Sequence, residues 1–276
     1  MVHHLISPED LARIIDDRAL RLVDCRWYIA DPDEGAAAYR RAHLPGAVHA
    51  SLDDHLSGTT GPGRHPLPSP DEFAETLSSF GISPESTVVV YDDRGGAIAS
   101  RLWWMLTAQG HAAVAVLDGG IQAWTMEGRP LTTDVPALER TQYEVVQWTG
   151  IVTLEEVAER EPGTTVIDAR EPERYRGDIE PIDSKAGHIP GAVSLPVAAN
   201  LDENSRFRPS SDLAWRFSSI GVAGDTRVIA HCGSGVTACH TILAAEIAGL
   251  GRPDLYVGSW SEWSGTDRPV ATGEAP

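Results

Sequence analysis

The stretch His43–Val48, which reads HLPGAV, returns almost unchanged at His188–Val193 as HIPGAV. Other segments pair in the same order along the two halves of the chain: LVDCR at 22–26 with VIDAR at 166–170, FGI at 80–82 with IGV at 220–222, and WTMEGRP at 124–130 with WSGTDRP at 263–269. A repeat of this length indicates a duplicated domain, because the units of a solenoid are only about 20 to 50 residues long.

Each half of the chain alternates strand-like and helix-like segments. Runs of β-branched residues, such as Thr87–Tyr91 and Thr165–Asp168, are typical of buried parallel strands. Apolar, helix-forming stretches follow at 99–109 and 238–250. Strands that alternate with helices form an open parallel sheet with helices on both faces. The sequence therefore predicts an α/β fold of two tandem, homologous domains.

The segment at 131–148 matches nothing in the other half of the chain. It contains Pro136 and several polar residues, as a linker between domains would. We therefore predict a boundary near Thr141, with one domain at 1–140 and the other at 141–276.

Composition excludes several classes of function. The 276 residues carry a formal net charge of −18, which would repel phosphate backbones, so we expect no binding to nucleic acid. No run approaches the roughly 18 apolar residues that cross a bilayer, and the first residues lack the pattern of a secretory signal. Three cysteines without a C-x-x-C pair argue against a disulfide framework and a cysteine zinc site. We expect a cytoplasmic protein that does not span a membrane.

The predicted chemistry lies in the loop CGSGVTA at 232–238, between a buried strand and a helix. Gly233 and Gly235 allow successive backbone N–H groups to point inward, and the helix adds the positive end of its dipole. Such a loop stabilises an anion, and a thiolate is one, so we predict that Cys232 is a nucleophile. Ser234 and Thr237 could donate hydrogen bonds from their hydroxyl groups.

Two other interpretations of this loop are less favoured. A buried structural thiol is common for a free cysteine, but it would not need a Gly-x-Gly cradle. A phosphatase loop of the form His-Cys, five residues, Arg needs an arginine at position 238, where this chain has Ala238. No guanidinium is then available there to hold a phosphate group with two hydrogen bonds.

The repeat, the paired H-[IL]-P-G-A segments and the loop CGSGVTA resemble the tandem rhodanese family, over nearly the whole chain. The resemblance implies two rhodanese-like domains and a sulfurtransferase that needs neither a metal nor an organic cofactor. The loop resembles that of the 3-mercaptopyruvate sulfurtransferase type, whereas thiosulfate sulfurtransferases usually carry CRKGVT. We therefore expect 3-mercaptopyruvate as the donor, its sulfur passing through a Cys232 persulfide. Gly233, Gly235, Val236 and Thr237 would line the substrate.

The resemblance also assigns roles outside the loop. The first half has Asp92 where the second has Cys232, so the first domain is expected to be catalytically silent, with the active site between the domains. Asp53 and His65 match positions that, in the mercaptopyruvate type, are proposed to form a proton relay with the loop serine, here Ser234. The turn-rich segment GPGR at 61–64 is expected near the mouth of the site.

The motif RYRG at 174–177 matches the family pattern for substrate binding and places Arg176 at the position expected to bind the carboxylate. An ion pair at a domain interface is the alternative role for Arg176. A second arginine usually follows shortly afterwards in the mercaptopyruvate type, but this chain lacks it. Lys185 is the residue in this segment that could supply a positive charge in its place. Thiosulfate therefore stays open as the donor.

The second half of the expected reaction transfers the sulfur to an acceptor. A thiol such as thioredoxin or a small thiol, or else cyanide, would collect it, with ping-pong kinetics. A regulatory or carrier module, which holds a persulfide for a partner protein without turnover, is the alternative from another class. Saturable release of pyruvate or sulfite distinguishes an enzyme from such a carrier.

Overall fold

The computed structural model describes residues 4–276, and Met1, Val2 and His3, the start of the N-terminal stretch considered above, lie outside the described residues. The described chain forms two compact units. The first unit contains the chain up to Gly58 together with Pro68–Thr149 and Glu203–Arg206. The second unit contains three segments, Thr59–Leu67, Gly150–Asp202 and Phe207–Pro276.

The first unit is built on a parallel sheet of five strands: β1 (Leu5–Ile6), β2 (Leu20–Asp24), β3 (Ala47–His49), β4 (Thr87–Tyr91) and β5 (Val114–Leu117). Their order across the sheet is β1-β5-β4-β2-β3, and each neighbouring pair runs parallel. The helices of this unit are α1 (Pro8–Ile14), α2 (Asp33–Arg41), α3 (Leu52–His55), α4 (Pro70–Ser79), α5 (Ala99–Ala108) and α6 (Gly120–Met126).

The second unit repeats this arrangement with the strands β6 (Ile151–Val152), β7 (Thr165–Asp168), β8 (Ala192–Ser194), β9 (Val228–His231) and β10 (Asp254–Tyr256). Their order is β6-β10-β9-β7-β8, again all parallel. The helices are α7 (Leu154–Ala158), α8 (Pro172–Arg176), α9 (Ser210–Ser219), α10 (Ala238–Ile247) and α11 (Ser259–Trp263), with a 3₁₀ turn at Val197–Asn200. The two sheets share one order, which confirms the predicted α/β fold of two homologous domains.

The central strands are apolar because both faces of each sheet are covered. In β4, Val88, Val89 and Val90 are all buried, and in β9 Ile229 and Ala230 are buried as well. A strand covered on both faces reads as a continuous run of β-branched residues instead of an alternating pattern. In the second sheet the chain places β8 on one side of β7 and β9 on the other, so the connections reverse direction between β7 and β9. Ligands of open α/β sheets bind beyond the carboxyl ends of the strands at such a point.

The histidines of the repeated HLPGAV and HIPGAV segments have structural roles in both units. His43 stacks on Tyr39 with ring centroids 3.9 Å apart, and His188 stacks on Tyr175 at 3.8 Å. In each case Nδ1 lies within hydrogen-bond distance of the carbonyl oxygen of that tyrosine, at 2.7 and 2.8 Å. The same ring stacking and hydrogen bonding occur in both units and account for the close repetition of this stretch, so we assign both histidines a structural role.

The first unit extends past the boundary predicted near Thr141. The backbone N–H of Thr141 donates to the Ser78 carbonyl at 3.2 Å, and Trp148 Nε1 donates to the Pro68 carbonyl at 2.9 Å. Thr149 Oγ1 also donates to a carbonyl at the end of α5, at 3.0 Å. The linker therefore packs on the first unit until the chain enters β6.

The longest helices of the two units, α4, α5, α9 and α10, have ten residues each. Within residues 4–276, no helix has both the length and the apolar character that crossing a membrane requires.

Candidate active site

Cys232 is the first residue after β9, and it opens the loop that leads to α10. Its side chain is buried, with 2% of the residue exposed. The backbone N–H groups of Trp260 and Ser261 donate to the carbonyls of Cys232 and Gly233 at 3.0 and 2.8 Å. The N–H of Cys232 donates to Ser259 Oγ at 3.2 Å. Helix α11 therefore holds the start of the cysteine loop in place.

Gly235 is the position in this loop where only glycine fits. Its φ is +76°, in the left-handed region that side chains disfavour. A methyl group built on its Cα would lie 2.5 Å from the Val257 carbonyl oxygen, well inside van der Waals contact. This close approach of two backbones turns the chain from β9 into α10.

The equivalent loop of the first unit binds an anion of its own. Asp92 is the first residue after β4, as Cys232 is after β9. Its carboxylate accepts four backbone hydrogen bonds of 2.8 to 2.9 Å, from the N–H groups of Arg94, Gly96, Ile98 and Ala99. The last of these residues begins α5, so the positive end of the helix dipole also faces the carboxylate.

In the cysteine loop the matching N–H groups belong to Ser234, Val236, Ala238 and Cys239. The N–H of Cys239 donates to the Val236 carbonyl at 3.1 Å, and we call the other three groups the amide cradle. Within residues 4–276, none of the three donates to a protein acceptor. Ala238 also begins α10, so its N–H group lies at the positive end of that helix. The cradle is therefore available to a sulfur anion on Cys232, and this arrangement fits the anion-binding loop that the sequence predicts.

The structure brings together two of the predicted site residues, Ser234 and His65. His65 belongs to the segment 59–67 of the second unit and is buried. Its Nδ1 lies 2.8 Å from Ser234 Oγ, within hydrogen-bond distance. A hydroxyl hydrogen-bonded to an imidazole ring is an arrangement that can relay a proton.

Asp53, the third member of the predicted relay, lies in α3 of the first unit. Its Oδ2 accepts a hydrogen bond of 2.7 Å from Trp27 Nε1, and the residue is exposed. Its part in a proton relay stays a prediction.

The arginine at the cysteine loop is Arg174 instead of the predicted Arg176. A methyl group built at Gly233 would lie 3.4 Å from Arg174 NH1. Arg176 is two residues further along α8 and therefore points to another side of the helix. There its Nε donates to Asp178 Oδ2 at 2.8 Å. The RYRG motif contains both arginines, and the direction of their side chains on the helix distinguishes them.

A second guanidinium reaches the loop from Arg64, the residue before His65. The same methyl group at Gly233 would lie 3.3 Å from Arg64 NH2. Arg64 NH1 donates to Asp183 Oδ1 at 2.6 Å, and Arg174 NH2 donates to Asp183 Oδ2 at 2.9 Å. The predicted placement of the 61–64 turn near the mouth of the site fits this contact.

Lys185, which the sequence offered as a substitute for the missing arginine, points elsewhere. Its Nζ donates a hydrogen bond to the carbonyl of Thr266. The positive charges at the loop therefore come from Arg64 and Arg174.

Glu180 holds Arg174 in this position. Its Oε1 accepts from Arg174 NH2 at 2.7 Å and its Oε2 from Arg174 Nε at 3.2 Å. Burial raises the pKa of Glu180, but the hydrogen bonds and charge of Arg174, together with backbone hydrogen bonds from Asp183 and Ile182, outweigh burial, so the pKa lies below its usual range. Glu180 is therefore ionised at neutral pH and fixes one side of the guanidinium.

His231, directly before Cys232, is fully buried. Its Nδ1 lies 3.2 Å from the Cys232 carbonyl oxygen, and its Nε2 lies 3.7 Å from Asp168 Oδ2. Burial lowers the pKa of His231 despite the nearby Asp168, so the imidazole is neutral near pH 7. Within residues 4–276, no group of three or more His, Cys, Asp or Glu side chains is arranged to hold a metal ion.

The other two cysteines are core residues. Cys25 and Cys239 are both fully buried. Burial raises the pKa of Cys25 well above its ordinary value, and the nearby Asp24 and Asp92 raise it further. Cys239 Sγ donates to the Gly235 carbonyl at 3.4 Å and so packs beneath the loop.

Comparison with known proteins matches both units. A family model for the rhodanese-like domain matches residues 7–127 and 153–266. A probable 3-mercaptopyruvate sulfurtransferase from Pseudomonas aeruginosa is 42% identical over 98% of both chains. A thiosulfate sulfurtransferase from Cricetulus griseus is 34% identical over 95% of this chain and 94% of its own. The crystal structure of SseA from Escherichia coli, described with the fold and mechanism of 3-mercaptopyruvate sulfotransferases, matches with a TM-score of 0.84 and 30% identity over 95% of this chain and 100% of that one.

Proposed function

We propose that this chain, which belongs to the rhodanese family and is a sulfurtransferase, takes sulfur from 3-mercaptopyruvate as a persulfide on Cys232 and passes it to a thiol. The observation that carries this proposal is the position of Cys232. Its buried side chain follows β9 at the point where the sheet connections reverse, beside an amide cradle with no protein acceptor. A thiolate and a persulfide anion are both groups that such backbone N–H donors stabilise.

In the first half-reaction, the Cys232 thiolate attacks the sulfur of 3-mercaptopyruvate. A bond forms between the two sulfur atoms, and the bond between sulfur and carbon breaks. The electron pair of the broken bond goes to carbon, so that pyruvate leaves as its enolate. The enolate takes up a proton to become pyruvate, and the donor's thiol proton balances this step, leaving a persulfide anion on Cys232.

The Ser234 and His65 pair favours this donor over thiosulfate. A hydroxyl hydrogen-bonded to an imidazole at 2.8 Å can carry the proton from the donor thiol to the enolate carbon. Thiosulfate leaves as sulfite and needs no such proton transfer. Asp53 would complete this relay in the proposed mechanism.

The carboxylate of the donor would bind at Arg174. The guanidinium of Arg174 borders the cysteine loop at Gly233, and a planar fork suits a carboxylate. Gly235, Val236 and Thr237 would form the wall of the loop beside the bound donor.

In the second half-reaction, an acceptor thiol attacks the outer sulfur of the persulfide. The acceptor leaves as a new persulfide and Cys232 returns as the thiolate, with the proton of the acceptor thiol released or retained on the product. Thioredoxin, a small thiol or cyanide would serve as the acceptor. Because the donor product leaves before the acceptor reacts, the kinetics should be ping-pong.

Thiosulfate is the second candidate donor. A thiosulfate sulfurtransferase is among the relatives that align over nearly the full length of this chain. Two guanidinium groups, from Arg64 and Arg174, also border the loop and could bind a dianion.

The test is a parallel measurement of kcat/KM for 3-mercaptopyruvate and thiosulfate with one thiol acceptor, using Cys232→Ser as the blank. We expect 3-mercaptopyruvate to be preferred and the blank to be inactive. Preference for thiosulfate would show that thiosulfate, and not 3-mercaptopyruvate, is the sulfur donor. Activity of the blank would exclude Cys232 as the nucleophile. A single equivalent of product without turnover would mark a persulfide carrier instead.

A further inference from the structure

The arginines at the cysteine loop leave two donor edges without a protein partner. Arg64 uses NH1 for Asp183, while its Nε is buried and has no acceptor within residues 4–276. Arg174 uses Nε and NH2 for Glu180 and Asp183. The groups that approach Gly233 are Arg64 NH2 and Arg174 NH1, and in the described part of the chain neither donates a hydrogen bond. The Arg64 and Arg174 side chains are only 28% and 15% exposed, so these edges are incompletely solvated and a ligand that accepts hydrogen bonds from them would be stabilised.

Asp183 fixes the spacing of the two guanidinium groups. Its side chain is 4% exposed, and its two oxygens accept from Arg64 and Arg174 at 2.6 and 2.9 Å. The backbone N–H of Asp183 donates to Glu180 Oε1 at 3.1 Å, which holds the carboxylate in position. Arg64 is anchored independently, because its backbone N–H donates to Ser261 Oγ at 3.0 Å. Both forks therefore stand in a set geometry before any ligand binds.

We propose that Arg64 and Arg174 together form a two-guanidinium site over Gly233 that binds the carboxylate of the sulfur donor. This inference rests on the proposed function and adds Arg64 as a second residue that determines the donor. Arg64 supplies the charge that Lys185 does not, because Lys185 is bonded to Thr266. The sequence could not show this, since Arg64 and Asp183 are 119 residues apart.

Charge at this site favours a donor with a single carboxylate. Asp183 and Glu180 neutralise the two positive charges of Arg64 and Arg174. The sulfur compound therefore binds to N–H groups in a site that has no large net charge. A monoanion can be bound by hydrogen bonds from Arg64 NH2 and Arg174 NH1 alone. A dianion such as thiosulfate gains less here than it would beside two unneutralised arginines.

The direct test measures binding without turnover. The dissociation constant of 3-mercaptopyruvate is determined by isothermal titration calorimetry for Cys232→Ser and for Cys232→Ser with Arg64→Gln. Loss of one charge-assisted hydrogen bond should weaken binding by at least about tenfold. In the protein with Cys232 intact, Arg64→Gln should raise KM for 3-mercaptopyruvate by a similar factor while kcat changes much less.

Arg227→Gln is the matched control, because Arg227 lies just before β9, at the end of the strand away from Cys232, and pairs there with Asp254. We expect the control to bind 3-mercaptopyruvate as the parent does. If Arg64→Gln does not fold, Arg64→Lys keeps the charge without the fork and should weaken binding to a smaller but measurable extent. Unchanged binding in the Arg64 variant, or equal weakening in the control, would overturn the assignment. A wild-type protein that binds 3-mercaptopyruvate without releasing pyruvate would instead refute the proposed function and leave the binding site standing.

Asp183→Asn tests the charge argument separately. This change removes one negative charge and keeps one side-chain oxygen for an arginine. The ratio of kcat/KM for thiosulfate to that for 3-mercaptopyruvate should rise several-fold, because the dianion gains more from the added positive charge. A ratio that stays constant or falls would contradict the role of Asp183 in donor choice.

Discussion

The loops that follow β4 and β9 occupy equivalent places in the two units and differ in the residue that follows the strand, Asp92 in one and Cys232 in the other. In the first unit the Asp92 carboxylate accepts hydrogen bonds from four backbone N–H groups. In the second unit, within residues 4–276, the three N–H groups of the amide cradle donate to no protein acceptor, and the residue after β9 is Cys232. The duplicated fold therefore provides a similar loop in both units, and the residue after the strand decides whether its N–H groups are occupied by a carboxylate or are available to the sulfur anion that we propose.

The comparison extends to the segment that closes each loop. The Ile121 N–H donates to the Asp92 carbonyl at 3.0 Å, and the Trp260 N–H donates to the Cys232 carbonyl at the same distance. The residue before each donor has a positive φ, which is +59° at Gly120 and +52° at Ser259. A serine in this conformation is strained, and its hydroxyl accepts from the Cys232 N–H and donates to the Tyr256 carbonyl. The strained Ser259 thus holds the backbone amide of Cys232, the nucleophile that we propose.

Moving the cysteine to the first unit should not move the activity. We expect Asp92→Cys combined with Cys232→Ser to show at least about 10³-fold less pyruvate release than the wild type. The loop of the first unit has Arg94 where the second has Ser234, so the hydroxyl beside the nucleophile is missing. Pyruvate release from 3-mercaptopyruvate measures the effect, with Cys232→Ser as the reference. Turnover well above that reference would show that the cradle alone suffices.

Removing the internal anion should destabilise the first unit. Asp92→Ala leaves four buried N–H groups without their acceptor, which should lower the free energy of unfolding by at least about 3 kcal/mol. Cys232→Ala, which removes no hydrogen-bond acceptor of the cradle, is the matched variant and should cost less. Guanidinium unfolding followed by tryptophan fluorescence compares the two. Equal losses would mean that Asp92 does not fill the cradle as a structural anion.

The two arginines of the RYRG motif should behave differently. Arg174→Gln removes a guanidinium that borders Gly233, so KM for 3-mercaptopyruvate should rise by roughly 10- to 100-fold. Arg176→Gln removes the ion pairs with Asp178 and Glu173, away from Gly233, and should change KM by less than about twofold. Steady-state kinetics of the two variants at one acceptor concentration provide the comparison. A larger effect at Arg176 would restore the assignment that the sequence pattern favours.

Ser259 offers the smallest and most specific comparison. Both Ser259→Gly and Ser259→Ala lose the hydroxyl, but Ser259→Gly copies Gly120 of the first unit and relieves the strain at positive φ, whereas Ser259→Ala keeps that strain. The free energy of unfolding of Ser259→Ala, measured in urea, should therefore be about 1 kcal/mol lower than that of Ser259→Gly. A more stable alanine variant would show that Ser259 is not strained.

Much of the fold could be predicted from the sequence because its signals are local. Repeated segments such as His43–Val48 and His188–Val193 reveal the duplication, and β-branched runs reveal buried parallel strands. Cys232, Ser234 and His65 also emerge from the sequence, through the loop pattern and the family resemblance.

The remaining details depend on direction and distance in space. The motif assigns the carboxylate to Arg176, but the direction of the side chains on α8 brings Arg174 to the loop instead. Arg64 and Asp183 meet across 119 residues, and no local pattern relates a turn in one half to a carboxylate in the other. The packing of Trp148 on Phe73 and Trp104, which extends the first unit to Thr149, is likewise a tertiary contact.

Intact-protein mass spectrometry after one addition of 3-mercaptopyruvate, without an acceptor thiol, tests the central claim most directly. The account predicts a gain of one sulfur atom per chain, located on the peptide that contains Cys232, lost on addition of a thiol, and not formed in Cys232→Ser. A sulfur on Cys25 or Cys239, or pyruvate release without any sulfur on the protein, would contradict it.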